Sequence, residues 1–247
     1  NGGRDYWVVK VDANGSKLWD ANFGGTQWDE LNSIALSPDG GFVLGGFSIS
    51  GADGNKTNGN FGTVGVNADY WVVKLASNGA KLWEANFGGS SNDILHSLAP
   101  AGDGGYLLGG RSASGSDGNK TSGNSGNIGT EDYWIVKLDS YGIKQWEANF
   151  GGAQDDRLWS LLPTSDGGYL LGGHSGSGVS GNKTSGAFGL NDYWAMKLLT
   201  REAPIGTPTV FVNGQFSPSN SFSFLNLPSV PVTLQTTFAN GTIRYTL

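Results

Sequence analysis

Three observations predict an all-β fold for this chain, a β-propeller-like array of four-stranded antiparallel blades. The tripeptide Asp-Tyr-Trp recurs four times, ending at Trp7, Trp71, Trp134 and Trp194, at spacings of 64, 63 and 60 residues. Each copy lies in a frame of short apolar segments separated by Asn-Gly or Asp-Gly turns. Glycine supplies 42 of the 247 residues, more than twice the usual share of about 7%. Much of it sits at fixed repeat positions, so it marks ordered turns.

The repeat divides into four strands. The first is Leu31–Leu36, matched by Leu95–Leu98 and Leu158–Leu161. The second is Gly41-Phe-Val-Leu-Gly-Gly46, matched at Gly105–Gly110 and Gly168–Gly173. The third is Tyr6-Trp-Val-Val-Lys10, matched at Tyr70, Tyr133 and Tyr193. The fourth is Lys17–Phe23, matched at Lys81–Phe87 and Lys144–Phe150. Each is short, rich in aromatic, β-branched and aliphatic residues, and bounded by turn formers. Asp39-Gly40, Asp103-Gly104 and Asp166-Gly167 join the first strand to the second; Asn14-Gly15 and Asn78-Gly79 join the third to the fourth. Such pairs tolerate the positive φ of tight hairpins. The unit therefore reads as an antiparallel meander, the sequence mark of a propeller blade. Its extra length falls in the loop between second and third strands. The third strand is apolar on both sides and suits an inner position; the fourth alternates and suits an outer one.

Residues 1–199 hold about three and a half such repeats, with four third strands but three of every other kind. A closed propeller needs about 4–8 blades. The expectation is part of a larger propeller, or an open array closed by oligomerisation. A linker follows at 200–208, and 209–247 reads as a truncated β-sandwich or Ig-like segment, with strands at Val230–Gln235 and Thr242–Leu247.

Composition excludes several functions. There is no Cys, so no disulfide framework, thiol catalysis or Cys-based metal site. A net charge of −6 argues against nucleic acid, whose phosphates need clustered Lys and Arg. No apolar run reaches the roughly 18–20 residues of a membrane-spanning helix.

The frame DYWVVKVDANGSKLWDANFGG with SPDGGFVLGGFS resembles the secreted bacterial β-propeller repeats of large surface proteins, and its GG-aromatic-LLGG strand is kelch-like. The tail SVPVTLQTTFANGTIRYTL resembles the start of a chitobiase C-terminal-like, Ig-like module. These resemblances imply an extracellular or cell-surface location and a glycan-associated parent protein.

Candidate chemistry divides into frame residues and exceptions. Asp29, Asp93 and Asp156, and Asp5, Asp69, Asp132 and Asp192, recur in every copy. An acid–base pair needs one asymmetric constellation, so these are expected to bond turn amides. The loops carry Asp53-Gly-Asn55 and Asp117-Gly-Asn119, whose spaced oxygens are a calcium candidate; a loop held by its own side-chain-to-backbone bonds is the plainer reading. The same loops match the glycosylation sequon at Asn55, Asn119 and Asn182. All ten Lys occupy repeat positions, expected as solvated strand ends paired with the recurrent Asp. Seven of the nine Trp belong to the frame and are expected in the core.

The exceptions are Trp28 and Trp159, together with the variable slots holding His96, Arg111 and His174; these five are the candidate ligand-binding residues. No Ser-His-Asp set, paired-His metal spacing or phosphate loop is present. The sequence therefore points to a non-enzymatic module without cofactor, acting as scaffold or as adhesive, carbohydrate-binding surface. Polysaccharide, surface proteins and further copies of itself are the expected partners. An ancillary domain of a glycan-active enzyme and a filament subunit are the alternatives.

Overall fold

The computed structural model describes residues 2–126 and 129–199, and the backbone of three short strands beyond them. It is all-β, with antiparallel sheets in a repeated arrangement and no helix among the described residues.

The strands are β1 (Tyr6–Val11), β2 (Lys17–Phe23), β3 (Asp29–Leu36), β4 (Phe42–Ser48), β5 (Asp69–Leu75), β6 (Lys81–Phe87), β7 (Asp93–Pro100), β8 (Tyr106–Ser112), β9 (Asp132–Leu138), β10 (Lys144–Phe150), β11 (Asp156–Pro163), β12 (Tyr169–Ser175) and β13 (Asp192–Leu198). Two complete sheets run β3-β4-β5-β6 and β7-β8-β9-β10. Before them lies the pair β1-β2, and after them the three-stranded β11-β12-β13. The four-strand meander read from the turns is the observed order. Gly40 and Gly15 take φ of 79° and 82°, the left-handed region their hairpins require.

Beyond the repeats, β14 (Thr209–Val212), β15 (Gln215–Ser217) and β16 (Val232–Gln235) form a sheet ordered β15-β14-β16. The linker 200–208 and the expected strand at Thr242–Leu247 lie outside the described residues.

Successive sheets pack through one recurring joint. Tyr6 of β1 lies 4.7 Å from the Trp71 ring of β5, and its hydroxyl donates to the Trp71 carbonyl at 2.9 Å. Tyr70 meets Trp134, and Tyr133 meets Trp194, in the same way. Alternation on the third strand explains the joint: Tyr points to one neighbour and Trp to the other. Hence β5 and β9, flanked on both sides, are buried along their whole length. The second strand's Gly pair admits the neighbour's first strand. A Cβ on Gly45 would stand 2.4 Å from Leu98 Cδ2, and one on Gly109 2.7 Å from Leu161 Cδ2.

Two sequence expectations are corrected here. Trp7 is not core: it is 64% exposed, because no described sheet covers that side of β1. Half of the ten frame lysines are buried and are not solvated strand ends. Lys74 and Lys137 are buried and paired with Asp39 and Asp103 in the turns. Lys56, Lys120 and Lys183 are buried in the long loops, with Nζ 5.8–5.9 Å from the rings of Trp71, Trp134 and Trp194. A long apolar stem over an aromatic face lets the cation be buried where loop carbonyls receive it.

Candidate functional site

The first strand of each complete hairpin carries a β-bulge. Pairing of β3 with β4 shifts between Leu31 and Ser33, of β7 with β8 between Leu95 and Ser97, and of β11 with β12 between Leu158 and Ser160. The extra residues are Asn32, His96 and Trp159. A bulge leaves one residue out of the ladder and re-aims its side chain. Adjacent first strands are tied, with Ser33 Oγ accepting from Leu98 N at 3.1 Å and Ser97 Oγ from Leu161 N at 3.2 Å. The three bulge residues therefore stand in a row. Asn32 Nδ2 donates to Leu95 O at 2.8 Å, and the His96 ring lies 4.2 Å from that of Trp159.

This row borders an open depression of about 710 Å³. Its aromatic parts are Trp28, Phe47 and Trp159, its apolar wall includes Ile49, Val66 and Ile94, and its charged groups are Arg4, Glu30 and Arg111. Arg4 lies over Trp28 at 4.6 Å, and Arg111 over Trp159 at 5.9 Å. Glu30 Oε2 accepts from Trp28 Nε1 at 3.2 Å and from Arg4 at 3.4 Å. Arg111 donates to Glu131 at 2.9 Å, a carboxylate shared with Arg157. Burial, reinforced by the Arg111 and Arg157 charges, pushes His96 down to about 4, so its ring is neutral near pH 7.

Of the five residues singled out in the sequence, Trp28, His96, Arg111 and Trp159 line this depression. His174 stands behind it, its Nδ1 accepting from Trp159 Nε1 at 3.0 Å. Sequence reasoning missed Arg4, Glu30, Phe47, Asn92 and Ile94. A signal for them existed. They occupy slots that differ between copies: Arg4, Ala68 and Glu131; Glu30, Ile94 and Arg157; Trp28, Asn92 and Asp155; Phe47, Arg111 and His174. An asymmetric polar cluster thus exists inside the repeated frame. The variable slots of three repeats meet at one place.

The recurrent carboxylates do something else. Asp29 Oδ2 accepts from Gly25 N and Ser50 Oγ, both at 2.8 Å, and Asp93 and Asp156 repeat the pattern. Asp69 accepts from Phe61 N at 2.7 Å and Asn86 Nδ2 at 2.8 Å. Both Asp sets press on the Gly-Gly turn: a Cβ on Gly88 would lie 2.1 Å from Asp69 Oδ1 and 2.8 Å from Asp93 Oδ2. Burial pushes Asp69 up to about 7 and Asp93 up to about 6. They are structural, one set per repeat.

The calcium candidates are engaged in the same manner. Asp53 accepts from Thr26 N at 2.8 Å and Thr26 Oγ1 at 2.6 Å, and Asn55 Oδ1 from Gly24 N at 2.9 Å. Asp117 and Asn119 make the equivalent bonds to Ser90 and Gly88. In the third copy Ser180 Oγ accepts from Ala153 N at 2.9 Å, which explains how Ser replaces Asp there. These oxygens staple the loop to the preceding turn. No group of three or more His, Asp or Glu that could hold a metal occurs among the described residues.

No family model matches the chain. The regulatory protein FlaEY of Caulobacter vibrioides is 28% identical over 172 residues, which is 69% of this chain and 18% of that protein. The chain thus spans less than a fifth of that relative's length. A crystallised protein of unknown function from Bacteroides caccae aligns over 68% of this chain and 82% of its own, at 14% identity and a TM-score of 0.22.

Proposed function

We propose that this chain is a non-enzymatic, extracellular repeat module whose sheets are blades of a β-propeller-like array, and whose depression at Trp28 and Trp159 binds carbohydrate. One observation carries the reading: inside a near-invariant frame, the slots that differ between copies gather around a single aromatic and polar depression. A frame kept for stability repeats its residues; a site that recognises a ligand needs unlike residues side by side. The half-exposed Trp28 and Trp159 offer aromatic surface for sugar C–H groups, and Asn32, Glu30 and Asn92 offer hydrogen-bonding groups at the rim. Glu30 is the one carboxylate among the lining residues and is already shared between Trp28 and Arg4, which favours recognition over acid–base chemistry. A glycan array probed with the chain tests this. Binding lost in Trp28→Ala and Trp159→Ala supports it, and absence of binding at millimolar sugar sinks it.

A second reading, a filament subunit, is favoured by the two end sheets. Trp7, Val9 and Val11 are exposed on β1, and Tyr193 is fully exposed on β13. These are the two halves of the Tyr–Trp joint, a heterologous pair that would propagate head to tail. Concentration-dependent sedimentation would support it; a monomer throughout would count against it.

A further inference from the structure

The arginines follow a different rule from the lysines. Each lysine sits at a frame position, whereas the three arginines among the described residues, Arg4, Arg111 and Arg157, all sit in variable slots. Folding brings them to one side: Arg4 and Arg111 line the depression, and Arg157 shares Glu131 with Arg111. Two guanidinium groups thus line the depression beside one lining carboxylate, Glu30, while Glu131 pairs with Arg111 and Arg157 next to it, on a chain whose net charge is −6.

The local pairing leaves donors over. Arg4 is 72% exposed, and its contact with Glu30, at 3.4 Å, is long. Arg111 Nε has no hydrogen-bond partner, although it is buried. Both guanidinium groups lie over indoles, Arg4 Cζ 4.6 Å from the Trp28 ring and Arg111 Cζ 5.9 Å from the Trp159 ring. A planar fork matches a carboxylate in two parallel bonds; an ammonium does not. His96 adds no charge, so the positive character rests on the arginines.

Resting on the carbohydrate reading above, we propose that the depression selects acidic saccharides, with the carboxylate of a uronic-acid unit received by Arg4 and Arg111 beside the indoles of Trp28 and Trp159. The ring of the sugar lies along the aromatic surface, and its charge is directed to the guanidinium edge.

The test uses three oligosaccharide probes of equal length, followed by tryptophan fluorescence and calorimetry: oligogalacturonate, its methyl ester, and neutral galacto-oligosaccharide. The acid form is expected to bind at least tenfold tighter than the other two, and to weaken as salt rises. Arg4→Gln, at an exposed side chain, is expected to narrow the gap between the acid form and the ester by most of its size, read as the ratio of the two affinities in the same variant. Arg111→Lys keeps the charge but loses the fork, and is expected to weaken the acid form as well. Equal or tighter binding of the ester and the neutral probe overturns the acidic selectivity and leaves the carbohydrate reading standing. Failure of all three probes at millimolar concentration overturns both.

Discussion

Replacing Trp71 by alanine and, separately, Trp7 by alanine compares one frame position in two environments. Trp71 is fully buried, 4.7 Å from the Tyr6 ring, with Lys56 Nζ 5.9 Å from its own ring. It packs in a cluster with Val8, Leu44 and Val73. Truncating a buried Trp typically costs about 3–5 kcal/mol, transfer and cavity together. Loss of the aromatic pair and of the cation's aromatic face places Trp71→Ala at the upper end, about 4–5 kcal/mol. Trp7 keeps only about a third of its surface covered, so Trp7→Ala is expected to cost on the order of 1 kcal/mol. Urea unfolding followed by far-ultraviolet circular dichroism measures both without relying on the indoles removed. If Trp71→Ala fails to fold, Trp71→Phe, at about 1–2 kcal/mol, gives the same comparison. Equal costs at the two positions would refute the claim that the recurring Trp acts through the neighbouring sheet.

Three further outcomes follow from the packing. The buried Asp69 and Asp93 have folded-state values raised above their unfolded ones, so the folded chain holds extra protons between about pH 4 and 7; stability is fully present at the acid end and falls as pH rises through 6 to 7. For Glu147, burial alone would raise its value, but Lys144, Ser122 and Thr121 bring it down to about 2, so its contribution is lost only below about pH 4. Urea midpoints measured from pH 3 to 8 should peak near pH 4–6, and Asp69→Asn should flatten the alkaline side; a midpoint rising steadily to pH 8 contradicts this. Gly45→Ala places a Cβ 2.4 Å from Leu98 Cδ2 and is expected to cost about 1–3 kcal/mol, whereas Gly172→Ala meets nothing within 4 Å and should be near neutral by the same measurement. Asp53→Ser reproduces the Ser180 arrangement and should cost less than about 1 kcal/mol, and adding calcium should leave the thermal midpoint of the native chain unmoved; a calcium-dependent rise that Asp53→Ser abolishes would support the metal reading instead.

The strand order and the hairpins were legible because their causes are local. Asp39-Gly40 and Asn14-Gly15 demand tight turns, and period-two alternation assigns faces. The buried roles of Lys56 and Lys74 were not legible. A lysine in a Gly/Asn-rich loop reads as solvated, and only the neighbouring Trp71 ring and the Asp39 turn show otherwise. Trp7 misled for the opposite reason: its local sequence is that of Trp71, but burial belongs to the sheet packed on it.

By itself the sequence determined the repeat, its four strands and the residues that break the pattern, because each is written in neighbouring side chains and turn chemistry. Only the tertiary structure decided that those exceptions form a site. Arg4 and Trp159 are far apart in the chain, and they line one depression because the stacked sheets stand side by side. The bulges at Asn32, His96 and Trp159 turn one side chain per repeat toward the same depression, and a bulge is set by pairing register, which no single strand's sequence displays.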